Sequence, residues 1–262
     1  MQHETSRGCG GRRTSRRDVL RYAASAPVLL SLSAIPILET PAARASSSLA
    51  GKIVFLDPGH NGANDASINR QVPTGRGGTK ECQTTGTTTD AGYPEHTFNW
   101  DTVLRIRAEL TQLGVRTAMS RGDDDAMGPC VDQRAAMANA LRPDAIVSIH
   151  ADGGPSGGRG FHVNYSNPPL NDAQSAQAPR FATVMRDQLV AAGLQPSTYR
   201  GTDGLYGRAD LAGLNLARYP SILIEMGNMK NPDDAAILAS AGGRAEYASA
   251  VTRGIASYLT AT

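Results

Sequence analysis

Short apolar runs, each closed by a polar residue or a Gly/Pro break, recur along this chain and alternate with stretches of helical periodicity. Lys52–Asp57 stops at Pro58-Gly59, Ala145–His150 is apolar up to its last residue, and Ser221–Glu225 ends a run of Ile-Leu-Ile. Runs this short, bounded by turn residues, predict buried strands. Val115–Met119 and Gly160–Tyr165 are two further strand candidates. Between them the period shifts to that of a helix. Phe98, Val103, Leu104, Ile106, Leu110 and Leu113 line one side of His96–Leu113, which closes at Gly114. Val131–Leu141 halts before Pro143, Phe181–Ala192 before Gly193, and Glu246–Leu259 forms a C-terminal helix. Strands and helices in alternation predict an α/β fold: a single three-layer domain with a mostly parallel twisted sheet and helices on both faces. Asn61–Gly92 is the exception, rich in Gly, Thr, Asn and Asp with no periodicity. A loop of that length is expected to be functional or mobile, and a lid or substrate guide is one use for it. No internal repeat and no low-complexity linker follows residue 50.

Charge is unevenly placed. Residues 1–45 hold seven of the 26 basic residues but only three of the 24 acidic ones, so the rest of the chain carries a net charge of −2. Such a body offers no electrostatic footprint for nucleic acid. Ser15-Arg16-Arg17-Asp18-Val19-Leu20 resembles a twin-arginine export signal, followed by an apolar run over Tyr22–Leu38 and a small-x-small cleavage site at Ala43-Arg44-Ala45. Pro27 and Pro36 interrupt that run and argue against a stable membrane span. Residues 1–45 are therefore read as a signal peptide and 46–262 as one catalytic-size domain, exported to the periplasm or cell wall, monomeric and without a membrane span. Cys9 falls in the signal, which leaves Cys82 and Cys130, both in loops. In an oxidising compartment that pair predicts a disulfide, with two free thiols as the alternative.

His60, His150 and Glu225 stand at or just beyond the ends of three apolar strands, and Glu95 opens the long helix. The carboxyl edge of an open α/β sheet is where ligands collect. A carboxylate closing an apolar run faces a large desolvation cost unless it is paired or near a metal. Two imidazoles and one carboxylate make a three-ligand zinc set with a fourth position open to water, and a second carboxylate remains for proton transfer.

The contexts of these residues resemble the zinc-dependent N-acetylmuramoyl-L-alanine amidases of the third amidase family. The resemblance rests on Leu56-Asp57-Pro58-Gly59-His60-Asn61-Gly62, Glu95, Ser148-Ile149-His150-Ala151-Asp152, and Leu223-Ile224-Glu225-Met226-Gly227-Asn228 with Lys230-Asn231-Pro232. It covers nearly all of residues 51–260, in the family's order. It implies that His60, Glu95 and His150 hold one Zn2+ per chain, that Glu225 is the catalytic base, and that the substrate is peptidoglycan or its muropeptides. The bond cut would be the amide between N-acetylmuramic acid and L-alanine. Two positions depart from the family's pattern: Asp152 where Asn is usual, and Asn228 where Phe is usual. His96 is a rival to Glu95, but adjacent helical residues point about 100° apart, so only one of them can face a metal. His162 reads as structural. Asp57 and Asp152 are candidate acceptors that would orient the two ligand imidazoles. Arg208 is a candidate partner for a stem-peptide carboxylate. Other zinc hydrolases of wall polymers, a peptidase or a sugar deacetylase, remain open, as does a catalytically silent wall-binding protein of the same fold.

Overall fold

The computed structural model describes residues 49–261; the expected export signal and Cys9 lie outside them. Strand alternation sorts the apolar residues onto two faces of one sheet. Four strands run parallel: β1 (Ile53–Pro58), β4 (Arg116–Met119), β5 (Ala145–Asp152) and β8 (Ser221–Asn228). β6 (His162–Ser166) lies antiparallel to β8, and β7 (Leu205–Arg208) extends the sheet parallel to β6. The order across the sheet is β4-β1-β5-β8-β6-β7. This is the mostly parallel sheet that the alternating pattern predicts, with β6 and β7 reversed at one side.

On one face Val54, Leu56, Val147, Ile149, Ile222 and Ile224 pack against three helices, α1 (Glu95–Gln112), α3 (Ala178–Ala191) and α6 (Ala241–Thr260). Each fully buried aliphatic side chain of this kind contributes about 1.5–3 kcal/mol, so this layer holds the fold together. The intervening residues Phe55 and Ile146 face the other way, onto Ala138 of α2 (Val131–Leu141) and Ala217, next to the short α4 (Ala212–Leu216). That second layer is thin. Room is left between the sheet and its two helices, and the site occupies it.

Three features differ from the sequence reading. Residues 61–92 are not featureless: a hairpin of β2 (Gln71–Pro73) and β3 (Thr79–Glu81) is built there, with Gly75 and Gly77 at positive φ in its turn. Its strands are three residues long and bury only Val72, too little to leave a periodic trace. The hairpin tip is tied down by Arg76, which donates to Asn215 Oδ1 (3.1 Å) and Ser166 Oγ (3.0 Å) and also to the Pro168 carbonyl. Its base is joined to α2 by the Cys82–Cys130 disulfide, as expected from the cysteine count. Closing a loop of 48 residues in the unfolded chain is worth roughly 4 kcal/mol in the chain-entropy model. Second, α6 begins five residues before Glu246 and is preceded by a separate α5 (Pro232–Ala239). Gly242-Gly243 reads as a helix breaker, yet Gly243 is where α6 crosses α5. A Cβ there would lie 2.2 Å from the Ile237 carbonyl oxygen, so only glycine fits. Third, β7 and α4, four and five residues long, are too short to register as elements in the sequence.

Candidate metal centre and its surroundings

Besides Ile146 and Ser221, the residues that point away from the main core are Ser148, His150 and Asp152 of β5 and Leu223 and Glu225 of β8. Together with Asp57 and His60 they line a cavity of about 440 Å³, roofed by Thr84–Thr87 and walled by Arg134, Ala138 and Leu214. At its upper end three donor atoms converge. His60 Nε2 lies 3.1 Å from Glu95 Oε1, His150 Nδ1 lies 3.0 Å from the same oxygen, and the two ring nitrogens are 3.2 Å apart. These are the only three His, Cys, Asp or Glu residues among those described that are grouped closely enough to hold a metal ion.

The local sequence explains how each donor reaches its place. Asn99 and Arg121 hold the Pro58-Gly59 turn by donating to the Gly59 carbonyl (3.2 Å) and the Pro58 carbonyl (3.0 Å). His60 follows at φ 62°, a left-handed conformation costly for a non-glycine residue. Arg134 fixes it there by donating to the Pro58 and His60 carbonyls (2.9 and 2.8 Å) and to Asn61 Oδ1 (2.6 Å). Glu95 starts α1, and its carboxylate accepts from the Thr87 and Ala151 backbone N–H groups (3.0 and 3.1 Å). His150 rides on β5 with its ring against the Cα of Gly59, where a Cβ would come within 2.1 Å of ring atoms. Gly59→Ala is therefore expected to push the His150 ring aside and, if this group holds a metal ion, to weaken its binding at least about 10-fold. Titration against a competing chelator checks this, and an unchanged affinity would show that the ring does not depend on that contact.

The donor set calls for a cation. His60 Nδ1 donates to the Thr84 carbonyl at 2.8 Å, so the neutral ring presents a lone pair at Nε2 toward a carboxylate oxygen. Two acceptors at that distance need a positive charge between them. The proton affinities register the same demand: burial disfavours charge on His60, yet the Glu95 carboxylate outweighs it and raises the imidazole above its usual value. Burial likewise acts to raise Glu95, and the two imidazoles overcome it and hold the carboxyl far below its usual range. His150 moves the other way, lowered by burial. Donors about 2.0–2.1 Å from a tetrahedral zinc sit roughly 3.3 Å from one another, close to the spacing found. The residues fit the ion.

Glu225 stands opposite His150 in the adjacent strand. Burial first, and then the charges of Glu95 and Asp152, push its carboxyl well above the usual range. Its Oε2 is buried without a hydrogen-bond partner among the described residues.

The sequence model of the N-acetylmuramoyl-L-alanine amidases matches residues 54–257. The chain belongs to the N-acetylmuramoyl-L-alanine amidase family. An amidase of that name from Mycobacterium tuberculosis is 64% identical over 237 residues, spanning 90% of this chain and 94% of the relative. The crystal structure of the amidase Ami1 from Mycobacterium smegmatis superposes with a TM-score of 0.81 at 70% identity, covering 82% of this chain and 99% of that one. An amidase from Clostridium difficile shares the fold at 22% identity, with a TM-score of 0.63.

Within this amidase-family domain the remaining polar residues anticipated from sequence are placed as follows. His96, the rival to Glu95, turns away to Asp124 (Nδ1 to Oδ1 2.9 Å). Arg208 forms a two-pronged ion pair with Asp210 (2.9 and 2.5 Å) and does not line the cavity. Asp57 and Asp152 do not orient the imidazoles of His60 and His150. Asp57 accepts from Arg134 (2.8 Å), Ser120 (2.5 Å) and Ser148 (2.7 Å), while Asp152 accepts from the Tyr199 hydroxyl (3.0 Å). The orienting acceptor for His60 is instead a backbone carbonyl in the roof, which no side-chain pattern announces. Arg134 is the residue that sequence reasoning missed. It lies four positions before Ala138 on α2, hence on the buried helix face.

Burial would raise the Asp57 carboxyl, but Arg134 and the two hydroxyls hold it at about 2, against an ordinary value of 3.8. A carboxyl lowered on folding stabilises the fold above its unfolded value, and that contribution fades as pH falls from about 4 through 2. The difference is worth roughly 2 kcal/mol. The stability gap between wild type and Asp57→Asn in urea is expected to close over that acid range; a gap independent of pH would contradict this pairing.

Proposed function

We propose that this protein is a zinc-dependent amidase that hydrolyses the bond between N-acetylmuramic acid and L-alanine in peptidoglycan or its muropeptide fragments. The observation that carries the reading is the triangle of His60 Nε2, Glu95 Oε1 and His150 Nδ1 beside Glu225, whose Oε2 is buried and unpaired among the described residues. Family membership and the amidase relatives support the choice of bond. When bound, zinc supplies Lewis-acid chemistry, lowering the pKa of water and drawing charge from a carbonyl oxygen. His60, Glu95 and His150 hold the ion, and the Thr84 carbonyl keeps His60 in the tautomer that can do so. Glu225, with its raised proton affinity, takes a proton from the attacking water and returns it to the alanine nitrogen as the C–N bond breaks. The products are a lactyl carboxylate on the sugar and a stem peptide with a free amino terminus. Arg208 would serve a stem-peptide carboxylate only by exchanging it for Asp210.

Residues 1–45, as an export signal, would deliver a monomeric domain to the periplasm or cell wall, where the Cys82–Cys130 bond persists. No helix among the described residues is long and apolar enough to cross a membrane. Mass spectrometry of muramoyl-dipeptide incubated with the protein tests the proposal. The expected products are N-acetylmuramic acid and the intact dipeptide, with cleavage stopped by chelator and restored by zinc. Intact substrate, a cut within the dipeptide, or loss of the acetyl group would overturn it.

A further inference from the structure

Two buried polar atoms without partners lie in one row of the sheet. Glu225 Oε2 and His162 Nδ1 are each buried and unpaired among the described residues. β8 runs between β5 and β6, and the registers set Glu225 opposite His150 on one side and opposite His162 on the other. Side chains directly opposite in neighbouring strands share a face, with Cβ atoms roughly 4.5–5.5 Å apart. His162 is 1% exposed, in the part of the sheet flanking the proposed base.

The donors nearest His162 with a mapped partner are turned to other acceptors. The Tyr199 and Tyr206 rings meet it edge-on, with centroids at 6.2 and 6.0 Å, and the Tyr199 hydroxyl donates to Asp152. Asn164, two residues along β6, donates its amide to the Leu223 carbonyl while its Oδ1 is a further buried acceptor without a partner among the described residues, and Arg208 is held by Asp210. Buried polar atoms in folded proteins are almost always paired. A carboxylate oxygen needs a donor, a neutral imidazole has one N–H to give, and these two orphans are cross-strand neighbours.

We infer that His162 is the positioning residue of Glu225: the two side chains make no direct hydrogen bond, and the His162 Nδ1–H reaches Glu225 Oε2 through one bridging water, fixing the carboxylate so that Oε1 addresses the cavity. The role of Glu225 itself rests on the function proposed above. His162 keeps its proton throughout, and no bond to it forms or breaks. It is suited to this because burial, with Arg208 and Arg200 adding to it and Asp152 opposing, lowers its pKa to about 4. At neutral pH it is an uncharged donor, and Asp152, Arg208 and Arg200 are the charged groups acting on it.

Histidine-selective ¹⁵N NMR on the full chain, with and without zinc, tests the link independently of turnover. Glu225→Gln is expected to move the His162 Nδ1 resonance and leave that of His96 in place; an unmoved His162 signal would overturn the inference. In kinetics, His162→Ala is expected to lower kcat about 10- to 100-fold, with KM and zinc content unchanged. His162→Gln, which retains a donor, is expected to recover most of that loss. Equal loss in both variants, or a loss carried by KM or by zinc content, would contradict a positioning role. Failure of the wild type to cleave muramoyl-dipeptide would remove the proposed function and leave the NMR result to judge the hydrogen bond alone.

Discussion

Glu225→Gln is expected to retain zinc and lose turnover by about 10²–10⁴-fold, the range that a positioned general acid–base supplies. Glutamine keeps the shape of the side chain and removes its ability to accept a proton. Glu225 is outside the donor triangle, so the metal content should be unaffected. The same change should stabilise the zinc-free fold at neutral pH. A carboxyl whose folded pKa is raised costs stability once pH climbs past its ordinary value of 4.5, and the neutral amide escapes both that burial penalty and the repulsion from Glu95 and Asp152. Parallel measurement of kcat, zinc content and Tm checks all three effects. Normal digestion of muropeptides by this variant would remove Glu225 as the base.

His60→Ala and His150→Ala are expected to take zinc content from stoichiometric to background and activity with it. Each deletes one corner of a triangle whose sides are only 3.0–3.2 Å, and two protein donors do not make a zinc site of this class. Without His60 or its metal, the buried Glu95 also loses its largest favourable charge partner. His60→Ala should accordingly be the less stable of the two in chelator, since His150 is itself disfavoured as a cation by burial. Metal analysis and thermal unfolding separate the two effects. Stoichiometric zinc in either variant would refute the ligand set.

Much of this arrangement was legible in the sequence because strand periodicity is rigid. The apolar runs of β5 and β8 lead into His150 and Glu225, which the parallel register sets opposite each other before the two strands end, and His60 follows just beyond the end of β1. Polar residues at alternate positions of β5, Ser148 and His150, mark the face on which the site lies. Glu95 was legible through the family resemblance, since helix geometry says only that Glu95 and His96 cannot both face one ion; in the structure His96 is turned toward Asp124.

What escaped notice depends on contacts distant in sequence. Arg134 meets Asp57 from 77 residues away, and the Thr84 carbonyl meets His60 across a segment with no periodic signal. Asp57 sits three residues before His60 and looks like its orienting partner, yet it points across the sheet to Ser148 and Arg134. His162 looked structural because it stands alone in its own strand. Only the antiparallel register of β6 on β8 sets it beside Glu225.

The measurement that bears most directly on the account is anomalous diffraction at the zinc edge from crystals of the chelator-stripped, zinc-reloaded protein. A single strong peak enclosed by His60 Nε2, Glu95 Oε1 and His150 Nδ1, facing Glu225, is the predicted result. A peak at any other group of side chains, or none at all from protein that cleaves muramoyl-dipeptide, would contradict it.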